Sequence, residues 1–250
     1  CFGGTAAYLG VVGDDDLGEA FRRDLREAGV GFDVPGRPDA LPTARCLIQV
    51  TPDAQRTLNT YLGVSAHLGP DDIDRDLVAA ASHLYCEGYL WDMEPAKAAI
   101  RLAMDVARDA GRTVSLTLSD SFCVDRHRDE WRERLADRVD VVFGNADELR
   151  SLYEVDDLDV AAEAVAEDVD VAFVTLGKAG SMVVAGGDRV HVVADELEHG
   201  VVDTTGAGDL YASGVLAGLS RGASLEHAAR LGSVAAAEII SHLGARPEAD

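Results

Sequence analysis

Between residues 71 and 175, short β-rich runs alternate with longer runs of helical spacing, and this alternation restricts the fold more than any other feature of the chain. The spacing predicts helices over Asp71 to Ser82, Pro95 to Ala110, Arg126 to Ala136, Ala146 to Tyr153 and Leu158 to Glu167. Between them His83 to Glu87, Val114 to Leu118, Val139 to Phe143 and Val171 to Thr175 read as strands. Strands separated by whole helices run parallel and are covered on both faces, joined by right-handed crossovers. The expected class is α/β, a doubly wound and mostly parallel sheet.

The flanks add smaller pieces. Cys1-Phe2-Gly3-Gly4 reads as the end of a helix with its glycine cap, followed by a strand from Ala6 to Val12. A helix tail with no helix ahead of it predicts that the sequence begins inside a domain. Leu17 to Ala28 has helical spacing and stops at Gly29, while Gly13 and Gly18 read as turn glycines. Residues 43–62 read as a hairpin with arms Ala44 to Thr51 and Arg56 to Leu62 around Pro52-Asp53-Ala54-Gln55. A second hairpin, Ser181 to Ala185 and Arg189 to Val193 around Gly186-Gly187-Asp188, is expected at the sheet edge. At 250 residues, the whole of 1–250 is expected to form a single domain containing the 43–62 hairpin.

Charge narrows the partners. With 45 acids against 22 bases the formal net charge is −23, and the lysines are Lys97 and Lys178 alone. Such a surface repels nucleic acid and anionic membranes, so neither is an expected partner. A bound nucleotide must be held by local donors and metal ions. The absence of a run of about 18 apolar residues and of a leader pattern predicts a cytoplasmic protein. Cys1, Cys46, Cys86 and Cys123 show no C-x-x-C pairing and read as reduced thiols. His127 and His242 lack metal-ligand spacing. Neither a G-x-x-x-x-G-K-[ST] loop nor a serine elbow is present.

In open parallel sheets, ligands lie beyond the carboxyl ends of the strands. That rule selects Glu87-Gly88-Tyr89, Ser119-Asp120-Ser121, Asn145 and Thr175-Leu176-Gly177. A further candidate is Val202-Asp203-Thr204-Thr205-Gly206-Ala207-Gly208-Asp209, which opens an amphipathic run from Leu210 to Arg221. Gly206 and Gly208 allow backbone N–H groups at a helix start to converge on an anion. Asp209 falls in the first turn, where the helix dipole favours its charged form and it can take a proton from a hydroxyl. A tight turn with a helix-start acid accounts for the same residues without chemistry. Likewise Asn145-Ala146-Asp147-Glu148 has the spacing of a helix capping box.

The full string D-T-T-G-A-G-D resembles the C-terminal signature of the ribokinase-like (PfkB) family of carbohydrate and nucleoside kinases. The resemblance implies that Asp209 is the catalytic base and that Gly206, Ala207 and Gly208 form an anion hole. It gives Asn145 and Glu148 the task of organising Mg2+, through water, and the phosphates of ATP. Thr175, Gly177 and Gly180 match the family's T-x-G-x-x-G turn along the nucleotide, with Lys178 either near the phosphates or in solvent. Asp203 and Thr205, with carbonyls near Gly244, are the implied ligands of a monovalent cation such as K+.

Leu9 to Gly18 looks like the family's strand and G-x-D-x-x-G turn, which normally follows an opening region with a sugar-contacting Asp and a Gly-Gly-Asn loop. Neither is visible here, so an N-terminally truncated kinase domain is implied. The 43–62 hairpin becomes a lid over the acceptor and a homodimer contact. The implied reaction moves the γ-phosphoryl of ATP to a primary hydroxyl of a nucleoside or sugar. Glu87-Gly88-Tyr89-Leu90, Ser119-Asp120-Ser121-Phe122-Cys123 and Gly244-Ala245-Arg246-Pro247 look most like bacterial adenosine kinase-type sequences, which favours adenosine. The other reading is a homologue that binds nucleotide or sugar without turnover.

Overall fold

The structure, a computed structural model, describes residues 2–38, 41–195, 197 and 200–248. It opens with β1 (Ala6–Ala7), α1 (Asp16–Glu27) and β2 (Val30–Gly31), with β1 and β2 parallel. The expected strand from Ala6 to Val12 is cut short because β2 offers only two residues to pair with; Val11 and Val12 are buried without a ladder. Phe2 to Thr5 form no regular element, so the expected helix end is absent among the described residues, and Cys1 lies outside them. Asp15 caps α1 by accepting from Gly18 N at 2.8 Å.

The hairpin forms as expected, from β3 (Arg45–Val50) and β4 (Arg56–Tyr61), and is a two-stranded sheet of its own. Its base is pinned to the α1 turn. Thr43 N donates to Asp15 Oδ2 at 2.8 Å and Thr43 Oγ1 donates to Asp15 Oδ1 at 2.7 Å.

Next come α2 (Arg75–Ala80), β5 (His83–Glu87), α3 (Glu94–Asp109), β6 (Thr113–Thr117), α4 (Ser121–Arg138), β7 (Val141–Asn145), α5 (Ala146–Tyr153), α6 (Leu158–Asp168) and β8 (Val171–Thr175). The chain then runs through β9 (Ser181–Ala185), β10 (Asp188–Val192), α7 (Ala207–Leu219) and α8 (Leu225–Ile239). Strand β7 lies two residues later than the expected Val139 to Phe143, in register with β8 from Val141, and two other boundaries differ through local turns and caps. A 3-10 turn at Pro70–Asp72 replaces the first turn of the helix expected from Asp71. Asp120 accepts from Cys123 N at 2.7 Å, and that cap starts α4 at Ser121 rather than Arg126, with a kink at His127.

The six-stranded sheet has the order β10-β9-β8-β7-β6-β5. Strands β5 to β8 run parallel, and β9 and β10 close the edge antiparallel. Side chains alternate between faces. Val114, Leu116, Val142, Ala172 and Val174 pack with Met104, Trp131, Leu135, Leu149 and Val165 from α3 to α6. Val141, Phe143, Phe173 and Val183 turn the other way, onto Tyr211, Val215 and Ala228 of α7 and α8. Phe143 and Phe173 stack at 5.4 Å between centroids, an arrangement worth about 1 kcal/mol beyond area burial. Helices on both faces of a mostly parallel sheet are the expected α/β class.

The α7 and α8 pair is very tight. A Cβ at Gly214 would stand 2.5 Å from Leu231 O, and one at Gly232 would stand 2.7 Å from Tyr211 O. No larger residue fits either place without moving a helix.

Candidate active site

The ends of β5, β6 and β7 and the start of α7 converge at one edge of the sheet. Gly206 caps α7 with φ of +79°, a left-handed conformation that glycine adopts at little cost. The chain thereby turns into the helix with the first-turn amides facing outward, and the N–H groups of Gly208 and Asp209 have no carbonyl one turn earlier to bond. Ala207 N reaches Thr204 O at 3.3 Å, a long contact that leaves its donor weakly held. Donors so placed are able to hold an anion.

Asp209 follows in the first turn. Its carboxylate is open to the cleft yet flanked by protein, and desolvation raises its pKa, opposed by the positive charge of Arg56. Burial thus acts against the helix dipole at this position, and the net direction for Asp209 is upward. Glu87, at the end of β5, is raised by desolvation and then by the Asp209 charge. The Tyr89 phenol is raised by desolvation and by Asp209, Glu87, Asp120 and Glu148. Those couplings place Glu87, Tyr89, Asp120, Glu148 and Asp209 around one basin. Arg56, at the start of β4, was not selected by any local sequence signal. Its charge nevertheless acts on Asp203 as well as Asp209.

Asn145 ends β7 and caps α5. Its Oδ1 accepts from Asp147 N and Glu148 N, both at 2.9 Å, and its backbone N–H donates to Glu148 Oε2 at 2.9 Å, so the capping box is complete. Glu148 is buried, and desolvation raises its pKa against the opposing bond from Asn145. Asp120 and Asp147 push it the same way as burial. A basin with several carboxylates repels a polyphosphate unless cations enter with it, so this donor set fits a divalent ion bridging to nucleotide phosphates.

Thr175 ends β8 beside Asn145, its register partner on β7. Gly177 is open, with nothing within 4 Å of the place a Cβ would take, and Lys178 is exposed. Gly180 is buried in the packing: a Cβ there would lie 2.0 Å from Val192 O, which gives this glycine a structural reason beside any ligand role. Asp203 points inward. Its Oδ1 accepts from Thr205 N at 2.9 Å and Thr205 Oγ1 at 2.6 Å, and its Oδ2 accepts from Gly244 N at 3.0 Å. Burial raises its pKa, but these bonds more than offset it, so the acid is held below its ordinary value. A buried charged carboxylate of this kind suits a monovalent cation nearby. Among the described residues, no group of three or more His, Cys, Asp or Glu side chains could hold a metal ion by itself.

Comparison with known proteins agrees with this arrangement. The profile of the "pfkB family carbohydrate kinase" matches residues 2–250. The solved adenosine kinase from Sinorhizobium meliloti is 50% identical, with a TM-score of 0.97 over 99% of this chain and 76% of that one. A probable sugar kinase from Rhizobium etli CFN 42 is 45% identical, with a TM-score of 0.96 over 99% and 75%. An ATP-dependent ribose-1-phosphate kinase from Halopiger xanaduensis is 32% identical over 98% of this chain and 78% of its own length. The chain belongs to the pfkB family and is a carbohydrate or nucleoside kinase.

Proposed function

We propose that this protein transfers the γ-phosphoryl group of ATP to a primary hydroxyl of a nucleoside, with adenosine as the favoured acceptor and Mg2+ required. The observation that carries the reading is Asp209 in the first turn of α7, beside the Gly206 to Gly208 turn, with its charge and that of Glu148 both acting on Tyr89. Phosphoryl transfer asks for alignment, charge neutralisation and a base. Asp209 accepts the acceptor's hydroxyl proton, and its raised pKa makes it a better base than an ordinary aspartate. The amides of Gly206, Ala207 and Gly208 stabilise charge on the moving group. Asn145 and Glu148 are the residues that would hold Mg2+ through water, and such an ion would supply charge neutralisation for the phosphates. Thr175, Gly177 and Gly180 would flank the nucleotide, and Asp203 with Thr205 would hold a monovalent cation such as K+.

The register of the hairpin supports a nucleoside over a plain sugar. Arg56, Leu58 and Thr60 share one face with Val50, Ile48 and Cys46, and the charge of Arg56 acts on the basin. Ile48 and Leu58 on that face are exposed and apolar, suited to covering a flat base. The adenosine kinase at 50% identity points the same way. The opposite face carries Leu47, which is 70% exposed, and Tyr61, surfaces suited to a homodimer contact. We read residues 1–250 as one kinase domain acting in the cytoplasm on small molecules, without nucleic acid or membrane partners; no described helix is long and apolar enough to cross a membrane.

The test is a coupled ADP-release assay on the purified enzyme with adenosine, inosine, ribose and fructose 6-phosphate. ADP formation that depends on adenosine supports the reading. Turnover with a sugar alone moves the acceptor class, and no acceptor-dependent ADP favours a binding homologue without turnover.

A further inference from the structure

Ser119 joins two strand ends. It follows β6 with φ of +71°, one of three non-glycine positions among the described residues in the left-handed region. A side chain in that region persists only where its surroundings hold it, and such positions concentrate at functional edges. Here the surroundings are the corner that follows β5. Gly88 N donates to Ser119 Oγ at 2.7 Å, and Ser119 Oγ donates to Thr117 O at 3.2 Å. The Tyr89 phenol donates to the Ser119 carbonyl at 3.0 Å. A negative φ at Ser119 would swing its hydroxyl and its carbonyl away from both partners.

The same corner is backed by α4. Cys123 Sγ donates to Gly88 O at 3.2 Å, and a Cβ at Gly88 would meet both Ser119 Oγ and the Trp131 ring at 3.1 Å. Two residues beyond Tyr89, Trp91 Nε1 donates to Glu130 at 3.2 Å, and Asp92 accepts from Arg126 at 2.9 and 2.8 Å. The segment after β5 is thus fastened along its length, and Ser119 is the fastening nearest to Glu87 and Tyr89. Both of those residues lie within the field of Asp209.

We propose that Ser119 is a positioning residue for the phosphoryl acceptor: its hydroxyl on Gly88 N and its carbonyl under the Tyr89 phenol set where Glu87 and Tyr89 stand beside Asp209. The proposal rests on reading Asp209 as the base, so that its neighbours border the attacking hydroxyl. Ser119 itself touches no reacting atom.

Two variants separate the hydroxyl from the backbone conformation. S119A keeps the strained backbone without the hydroxyl, and S119G relieves the strain without it. Steady-state kinetics with adenosine and ATP are measured together with hydrogen exchange of the Gly88 amide by NMR. Loss of the hydroxyl in either variant raises the acceptor KM about tenfold, with kcat and the ATP KM within about threefold of wild type. Gly88 exchange becomes about tenfold faster, while the Leu116 and Val142 amides keep their protection. An acceptor KM within about twofold of wild type in both variants, or unchanged Gly88 exchange, overturns the proposal. If the wild-type enzyme phosphorylates no acceptor, the proposed function fails by that result. Faster Gly88 exchange would then confine Ser119 to holding the corner and would overturn its acceptor role.

Discussion

Asn145 and Glu148 grip each other through three hydrogen bonds: Asn145 N to Glu148 Oε2 at 2.9 Å, Asn145 Nδ2 to Glu148 Oε1 at 2.7 Å, and Glu148 N to Asn145 Oδ1 at 2.9 Å. The first and third complete a helix cap; the second joins the two side chains and fixes how the carboxylate is presented.

That pairing separates a cap from a metal shell. Glutamine serves a capping box as well as glutamate does, but brings no charge. Glu148→Gln keeps the bond from Asn145 N but sets an amide donor against Asn145 Nδ2, so a loss of about 1–3 kcal/mol in unfolding free energy is expected. Its apparent Mg2+ affinity is expected to fall by about 10- to 100-fold. A magnesium titration of turnover beside a denaturant melt checks both, and unchanged magnesium dependence would leave Glu148 as a cap alone.

Removing the proposed base should weaken activity and strengthen the fold. Asp209→Asn is expected to lower kcat by about 10²-fold or more with ATP binding retained. Because the folded-state pKa of Asp209 is raised, its ionised form opposes folding above that value, and the opposition fades as pH falls through it. The variant should therefore melt higher than wild type near neutral pH, with the gap closing in acid. Turnover equal to wild type would dismiss the assignment.

Arg56 is expected to influence the acid limb of the rate profile through Asp209. Its charge lowers the Asp209 pKa against desolvation, so Arg56→Gln lets that pKa climb. A base works only when deprotonated, so the limb where kcat falls in acid should move to higher pH. A pH–kcat series on the two proteins measures it, and coincident limbs would remove Arg56 from the basin's electrostatics.

Asp203 organises the loop ahead of α7. Asp203→Asn replaces an acceptor oxygen with a donor against Thr205 or Gly244, and a loss of about 1–3 kcal/mol is expected at neutral pH. The wild-type acid has a lowered folded pKa, so its stabilisation is complete above the unfolded value of about 3.9 and is lost as pH falls through the lower folded value. Urea melts of both proteins should accordingly diverge at neutral pH and approach each other below that window.

Much of this was legible before any coordinates. His83 to Glu87, Ala146 to Tyr153 and Val171 to Thr175 stand at the expected bounds because periodicity, caps and burial agree there. Elsewhere tertiary contacts decided. Ser121 to Asp125 has no clean helical spacing, and only the Asp120 cap and the burial of Cys123 and Val124 commit it to α4. The expected strand through Val12 lacked a partner of matching length. No helix was expected over Leu225–Ile239, although Ser224 caps it and its apolar positions recur. At the site, local patterns pointed to Asp209, Asn145 and Glu148. Arg56 and Ser119 carry no local motif, since one acts by its charge on a residue far along the chain and the other accepts from the Gly88 N–H just past β5.

The glycine-to-carbonyl contacts of Gly214 and Gly232 leave α7 and α8 no slack to slide on one another. The start of α7, the proposed anion site, is therefore an anvil: it is expected to stay put while substrates come and go. In the proposed reaction cycle any movement that admits or releases substrate must then come from elsewhere, and the 43–62 hairpin, a two-stranded sheet of its own, is the candidate element.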